Sequence, residues 1–178
     1  MDFRCVVTGH NEAGKAIVVS DTARAAITLE RLPGFEFHRF AGSDTPPTLP
    51  VPETPIPPNY FPPKGGFRFG YFTIPPGTHL APPPADLLGL FAEAQSKLPG
   101  LAEAMEPQQL GFHASDTVDF DVVLSGEIVL ELDNGVEVHL KAGDCVVQNG
   151  TRHSWHNRSS EKCVMAVVLI GAERTRPS

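Results

Sequence analysis

Apolar and polar residues alternate along much of this chain with a period of two, the pattern of strands that bury one face. The densest run covers 111–157, where VDFDVVL, IVLELD and VEVHL are separated by Ser125-Gly126-Glu127 and by Asn134-Gly135. Asn-Gly between alternating runs predicts a hairpin, because both central residues of the turn need positive φ. The break at Gly126 predicts another, pairing VDFDVVL with IVLELD. Gly143-Asp144 and Asn149-Gly150 punctuate two further strands. Upstream, 3–8 and 16–20 flank the turn Asn11-Glu12-Ala13-Gly14, and 25–29 and 35–40 flank Pro33-Gly34. Residues 67–74 form one more strand, with Phe67, Phe69 and Tyr71 on one face and Phe72 and Ile74 on the other.

Two segments break this period. Residues 42–64 carry too much proline for a helix or an interior strand. They read either as a disordered linker or as a segment that Tyr60 and Phe61 pin to a surface. Residues 85–98 place Leu87, Leu88, Phe91, Ala94 and Leu98 at helical spacing, Pro99-Gly100 ends the run, and 101–105 add another turn. His113 and His153 stand at opposite ends of the strand-rich stretch, and a closed antiparallel barrel would bring them together.

The stretch resembles the cupins, whose two motifs read G-x5-H-x-H-x3,4-E-x6-G and G-x5-P-x-G-x2-H-x3-N. Gly143, Gly150, His153 and Asn157 match the second; Gln148 stands at the proline, and the Gly143-to-His153 spacing is one residue short. With Gly126 closing the first motif, His113 takes the first histidine, Ser115 replaces the second, and Asp119 takes the glutamate position. The resemblance implies an all-β fold, a jelly-roll β-barrel with a short α-helical insertion at about 84–106. One domain would span 1–178, with N-terminal strands and the proline-rich loop in 1–75, the insertion in 76–112 and the core motifs in 113–170. The insertion would sit at the barrel mouth, as a plug or as a lid.

Alternation and resemblance disagree about one strand. Alternation alone buries Val118, Phe120, Val122 and Leu124 and leaves Asp119 and Asp121 in water. The resemblance turns Asp119, Asp121 and Val123 inward, leaving an apolar stripe outside that a second copy would cover. A homodimer is therefore expected.

By resemblance, His113, Asp119 and His153 form a two-histidine, one-carboxylate set for one divalent metal ion, Fe(II), Zn or Mn. Asp121, His79 after the Pro75-Pro76-Gly77 turn, and Asp116 are candidates for moving a proton; Asp116 reads equally as a turn residue. Trp155 shares the face of His153 and either stacks on a substrate or fills the core. The expected function is a metal-dependent enzyme acting on a small organic acid or an enol-type, partly aromatic metabolite, by lyase, decarboxylase or isomerase chemistry. A non-haem Fe(II) dioxygenase is the near alternative. A metal-free small-molecule-binding cupin is the other, and Ser115 at a ligand position is its main support.

Composition narrows the partners. A net charge of −7 argues against nucleic acid. Cys5, Cys145 and Cys163 are too few and too scattered for a disulfide framework, and each is expected to be buried. His10, His38, His139 and His156 lack partners in the sequence and are expected mostly at the surface. No apolar run reaches membrane-spanning length, and the first residues lack the apolar core of a secretion signal, so the expected location is cytoplasmic.

Overall fold

The computed structural model describes residues 2–51, 54–78 and 85–175. In chain order they form β1 (Phe3–His10), β2 (Ala16–Arg24), β3 (Ile27–Leu29), β4 (Leu32–Ser43), β5 (Phe67–Ile74), α1 (Leu87–Lys97) and α2 (Leu101–Ala104). Then come β6 (Thr117–Ser125), β7 (Glu127–Glu131), β8 (Glu137–Lys141), β9 (Cys145–Asn149), β10 (Ser154–His156) and β11 (Cys163–Gly171). A six-stranded sheet in the order β3-β4-β5-β11-β6-β9 packs on a three-stranded sheet, β10-β7-β8, and β1-β2 form a separate arm. The fold is all-β with a short helical insertion. The core between the sheets interleaves Ile74, Val123, Cys163 and Met165 with Ile128, Leu130 and Leu140.

The Asn-Gly hairpin is present: β7 pairs with β8, Leu130 opposite Val138, with Asn134 at φ 59° and Gly135 at φ 72°. The hairpin expected at Gly126 is not. There β6 pairs with β9 and β11, whereas β7 pairs with β8 and β10. Gly126, at φ +76°, carries the chain from one sheet to the other, and a side chain there would meet the Lys162 carbonyl oxygen at 2.5 Å. Alternation identifies a strand but says nothing of its neighbour, and a glycine corner reads like a glycine hairpin.

β6 has its aspartates inward. Asp119 and Asp121 are 5% and 6% exposed, while Phe120, Val122 and Leu124 are 36–44% exposed, beside Val147 of β9 and Ile170 of β11. The arm is exposed too, through Val6, Val7 and Ile17 to Val19. It touches the body through the Phe3 ring, edge-on to His38 and Tyr71 at 4.8 and 4.9 Å. That contact and the Arg24 carbonyl, 3.2 Å from its Nδ1, bury His38, which was expected at the surface. The cysteines divide: Cys163 is buried, Cys5 half-buried and Cys145 exposed, because an edge strand such as β9 has water on its outer face.

α1 starts at Asp86, whose carboxylate accepts from the Gly89 N–H at 2.8 Å. Leu90, Ala94 and Leu98 are buried against Leu29 and Phe37, whereas Leu88, expected on that face, is 83% exposed. The helix is seated on the β3–β4 turn by four groups. Glu93 accepts from the Glu30 and Arg31 N–H groups, Lys97 donates to the Thr28 carbonyl, and Arg31 pairs with Asp86. Among the described residues no helix is long and apolar enough to cross a membrane.

Candidate functional site

A cavity of about 590 Å³ opens at one end of the two-sheet body, large enough for a small organic molecule. Its walls are mostly apolar and aromatic: Phe35, Phe37 and Phe72 from the large sheet, Trp155 from β10, and Leu90, Phe91 and Ala94 from α1. The polar groups inside are few: His113, His153, Asp119 and Asp121 among them.

The two histidines are joined through their own backbone. The His113 N–H donates to the His153 carbonyl and the His153 N–H to the His113 carbonyl, both at 3.0 Å. Their rings lie with centroids 4.3 Å apart. Each Nδ1 sits near a main-chain carbonyl, Gly111 at 3.1 Å and Thr151 at 2.9 Å, so each Nδ1 carries the hydrogen and each Nε2 keeps its lone pair. Burial, and then the neighbouring His113, pull the His153 imidazole down to about 4; burial likewise lowers His113.

The aspartates come from β6 at two-residue spacing. Burial raises Asp119 to about 6, with the Thr117 hydroxyl opposing; burial, and then the charge of Asp119, raise Asp121 to about 7. One oxygen of Asp119 has no hydrogen-bond partner. Directly across the ladder is Gln148, 4% exposed, whose amide nitrogen is also without a partner. Orphaned buried polar atoms of this kind are uncommon in a finished core and point to a ligand.

The expected metal set is assembled only in part. The donor types suit a divalent ion, but among the described residues no three His, Cys, Asp or Glu side chains gather closely enough to hold one. As they stand, His113, His153 and Asp119 do not fit a three-ligand ion. Ser115, at the motif's second histidine, is buried and shares a 2.6 Å hydrogen bond with Thr117, away from the cavity lining.

The remaining candidates scatter. Asp116 faces solvent, paired with Arg174 and 64% exposed, so its place is a surface ion pair and not the cavity; it lies one residue out of phase with the inward Ser115, Thr117 and Asp119. His79 lies outside the described residues. His156 lines the cavity and pairs with Glu131 at 2.7 Å, where a surface position was expected. Trp155 both packs against the core and lines the cavity, its ring edge-on to His153 at 5.7 Å. The contribution the sequence pattern missed is Tyr60 and Phe61, which form cavity wall. Their one signal is an aromatic pair within a run of prolines.

Residues 103–169 match the family model described as "Cupin domain". Over that segment the chain is similar to the cupins. The chain is 53% identical over 47 residues to "Phomopsin biosynthesis cluster protein C'" of Diaporthe leptostromiformis, a match covering 26% of this chain and 25% of the relative. It is 41% identical over 58 residues to "Oryzines biosynthesis cluster protein J" of Aspergillus oryzae, covering 33% and 32%. It is 38% identical over 45 residues to "Cupin-domain-containing oxidoreductase virC" of Hypocrea virens, covering 25% and 23%. Each match thus spans a third or less of the relative's length.

Proposed function

We propose that this protein is an enzyme acting on a small, partly aromatic keto or enol metabolite, with isomerase- or lyase-type proton transfer as its chemistry. The observation that carries the reading is the pair of buried, elevated carboxyls, Asp119 and Asp121, facing two neutral imidazoles in a largely aromatic cavity. A carboxylate with an affinity for protons near neutrality is suited to take one from carbon next to a carbonyl. Asp121 would remove that proton, the electron pair moving onto the carbonyl oxygen to give an enolate, and would return it in the reverse step. The apolar walls would hold the carbon skeleton and exclude water. The relatives whose names place them in biosynthesis clusters, and one named an oxidoreductase, are consistent with a metabolite substrate.

Phenylacetone in deuterated water provides the test. Wild-type protein is expected to catalyse exchange of its α-hydrogens, followed by proton NMR, and Asp121→Asn is expected to lose at least a hundredfold of that rate. No exchange above buffer would remove the proposal.

A second reading retains the metal. It is favoured by the two Nε2 lone pairs and the orphaned Asp119 oxygen in one cavity. Lyase or dioxygenase chemistry would then need His113, Asp119 and His153 to draw closer together than they stand here, around one Fe(II), Zn or Mn ion per chain. Equilibrium dialysis separates the readings: stoichiometric uptake that His153→Ala abolishes favours the metal, and exchange that survives chelator treatment favours the carboxyls alone.

The same reading includes a homodimer. The exposed apolar face of Phe120, Val122, Leu124, Val147 and Ile170 and the exposed arm are two uncovered surfaces on one chain, and an isolated two-stranded arm is marginal in water. Light scattering should give twice 19.2 kDa, and Phe120→Glu with Val147→Glu should give the single mass. A wild-type monomer at micromolar concentration would count against the dimer.

A further inference from the structure

The proline-rich segment is fixed to the body by two arginines, and what it carries into the cavity is a phenol. Arg39 donates to the carbonyls of Pro57, Pro58 at 2.8 Å and Asn59 at 3.0 Å. Arg68, 5% exposed, donates to the Asn59 carbonyl at 2.9 Å and to the Ser43 carbonyl at 2.9 Å, and pairs with Asp44 at 2.5 Å. Three successive carbonyls of a strap without regular structure are thus all held by guanidinium groups. The next residue is Tyr60, whose N–H donates to the Pro99 carbonyl just beyond α1 at 2.8 Å.

Tyr60 is thereby fixed from three sides. Its ring meets Phe37 and Phe61 edge-on, at 5.8 and 5.0 Å, and it lines the cavity. Burial, and then the charges of Asp121 and Asp119, raise its phenol above the ordinary value, so the hydroxyl keeps its hydrogen. Among the described residues that hydroxyl makes no hydrogen bond. If Tyr60 only filled space, a phenylalanine would serve, and nothing would require clamping the three carbonyls before it. A hydrogen-bond donor for a ligand does require it, since such a donor must be held to a fraction of an ångström.

We infer that Tyr60 is the ligand-polarising donor of the cavity: its O–H donates to the carbonyl or enol oxygen of the bound molecule, and Arg39 is the residue that positions it. The inference rests on the proposed keto or enol ligand. It adds the group that would receive the charge developing on oxygen when the carboxyl takes the proton. The same donor would select oxygen-bearing aromatics over hydrocarbons of like shape.

The experiment uses Trp155, the chain's single tryptophan and part of the cavity wall, as a fluorescence reporter. Phenylacetone and its hydrocarbon counterpart isobutylbenzene are titrated into wild-type protein, Tyr60→Phe, Arg39→Lys and Arg4→Lys, with circular dichroism to confirm folding. Wild-type protein should prefer the ketone by about fivefold to tenfold, the effect of one neutral hydrogen bond in an apolar site. Tyr60→Phe should erase that preference while leaving isobutylbenzene binding within twofold. Arg39→Lys should erase most of it, because a compact ammonium lacks the wide planar fork that reaches three successive carbonyls. Arg4→Lys, on the exposed arm, should not change it. A preference that survives Tyr60→Phe overturns the donor role and leaves the cavity reading intact. Binding of neither compound overturns the ligand class itself, and the donor role with it.

Discussion

Asp121→Asn is expected to stabilise the protein at pH 8 while removing the proposed α-hydrogen exchange. The carboxyl is raised to about 7 by burial and by Asp119, so above that pH the folded chain holds a charge in surroundings that disfavour it. The direction follows from proton binding. Between the unfolded value near 4 and the folded value near 7, the native state binds the extra proton, so stability rises as pH falls. The penalty is fully present above pH 7 and gone below pH 4. An amide of the same shape avoids it. A shift of this size corresponds to at most about 4 kcal/mol, and allowing for relaxation around the site about 2 kcal/mol is expected. For a chain of this length that is roughly 4–8 °C in melting temperature at pH 8, falling to nothing near pH 4. His153 acts in the opposite sense: held at about 4, it stays neutral when folded, and stability is lost as pH falls below about 6.5. The wild-type profile is therefore flattened by opposing slopes, and the comparison of variant with wild type at each pH isolates the carboxyl. Thermal unfolding followed by circular dichroism at pH 8 and pH 4.5 measures it. A variant less stable than wild type at pH 8 would mean that the Asp121 charge is compensated, and that the elevated-carboxyl argument is wrong.

The second large effect is expected at Asn157, and there the loss is structural. The residue is fully buried. Its amide nitrogen donates to the Ile74 carbonyl at 3.1 Å and the Glu161 carbonyl at 2.8 Å, and its amide oxygen accepts from the Ser159 N–H at 3.0 Å and hydroxyl at 2.8 Å. Its own N–H donates to the Thr78 hydroxyl at 2.8 Å. One side chain thus ties the end of β5 to the turn between β10 and β11. Asn157→Ala leaves the buried Ile74 carbonyl and the part-buried Glu161 carbonyl each short of a donor and opens a void, which costs about 3 kcal/mol. The melting temperature should fall by roughly 6–12 °C. Asn157→Asp should be no better, since the charged oxygen cannot donate to either carbonyl. Because β10 carries Trp155 next to His153, ligand-induced quenching should weaken in whatever fraction of Asn157→Ala remains folded. A loss under about 1 kcal/mol would show that the turn holds without its amide.

These two residues show different legibility. Asn157 was visible through its spacing from Gly150 and His153, and so was the β-rich core, because alternation and positive-φ turn residues are local properties. His113 and His153 were nameable as partners once the flanking strands were read as one barrel. Asp119 and Asp121 are the harder case. Their strand taken alone gives the opposite facing, since Val118, Phe120, Val122 and Leu124 are the more apolar set. Which face turns inward depends on what lies across each face, and that is a property of the other sheet.

What the sequence by itself determined is therefore the set of strands, the helix at 85–98 and the residue types that could do chemistry, each encoded within a few neighbouring positions. Tertiary structure decided what distance along the chain conceals. It made Gly126 a crossing between sheets instead of a hairpin, since both use the same positive φ. It sent Asp116 to a surface pair with Arg174 and brought His156 into the cavity wall. It placed Tyr60 in the cavity through Arg39, on the neighbouring strand β4, and Arg68 of β5. Proline fixes the local backbone and removes a donor, but it carries no information about which distant guanidinium will bind the carbonyls it leaves exposed.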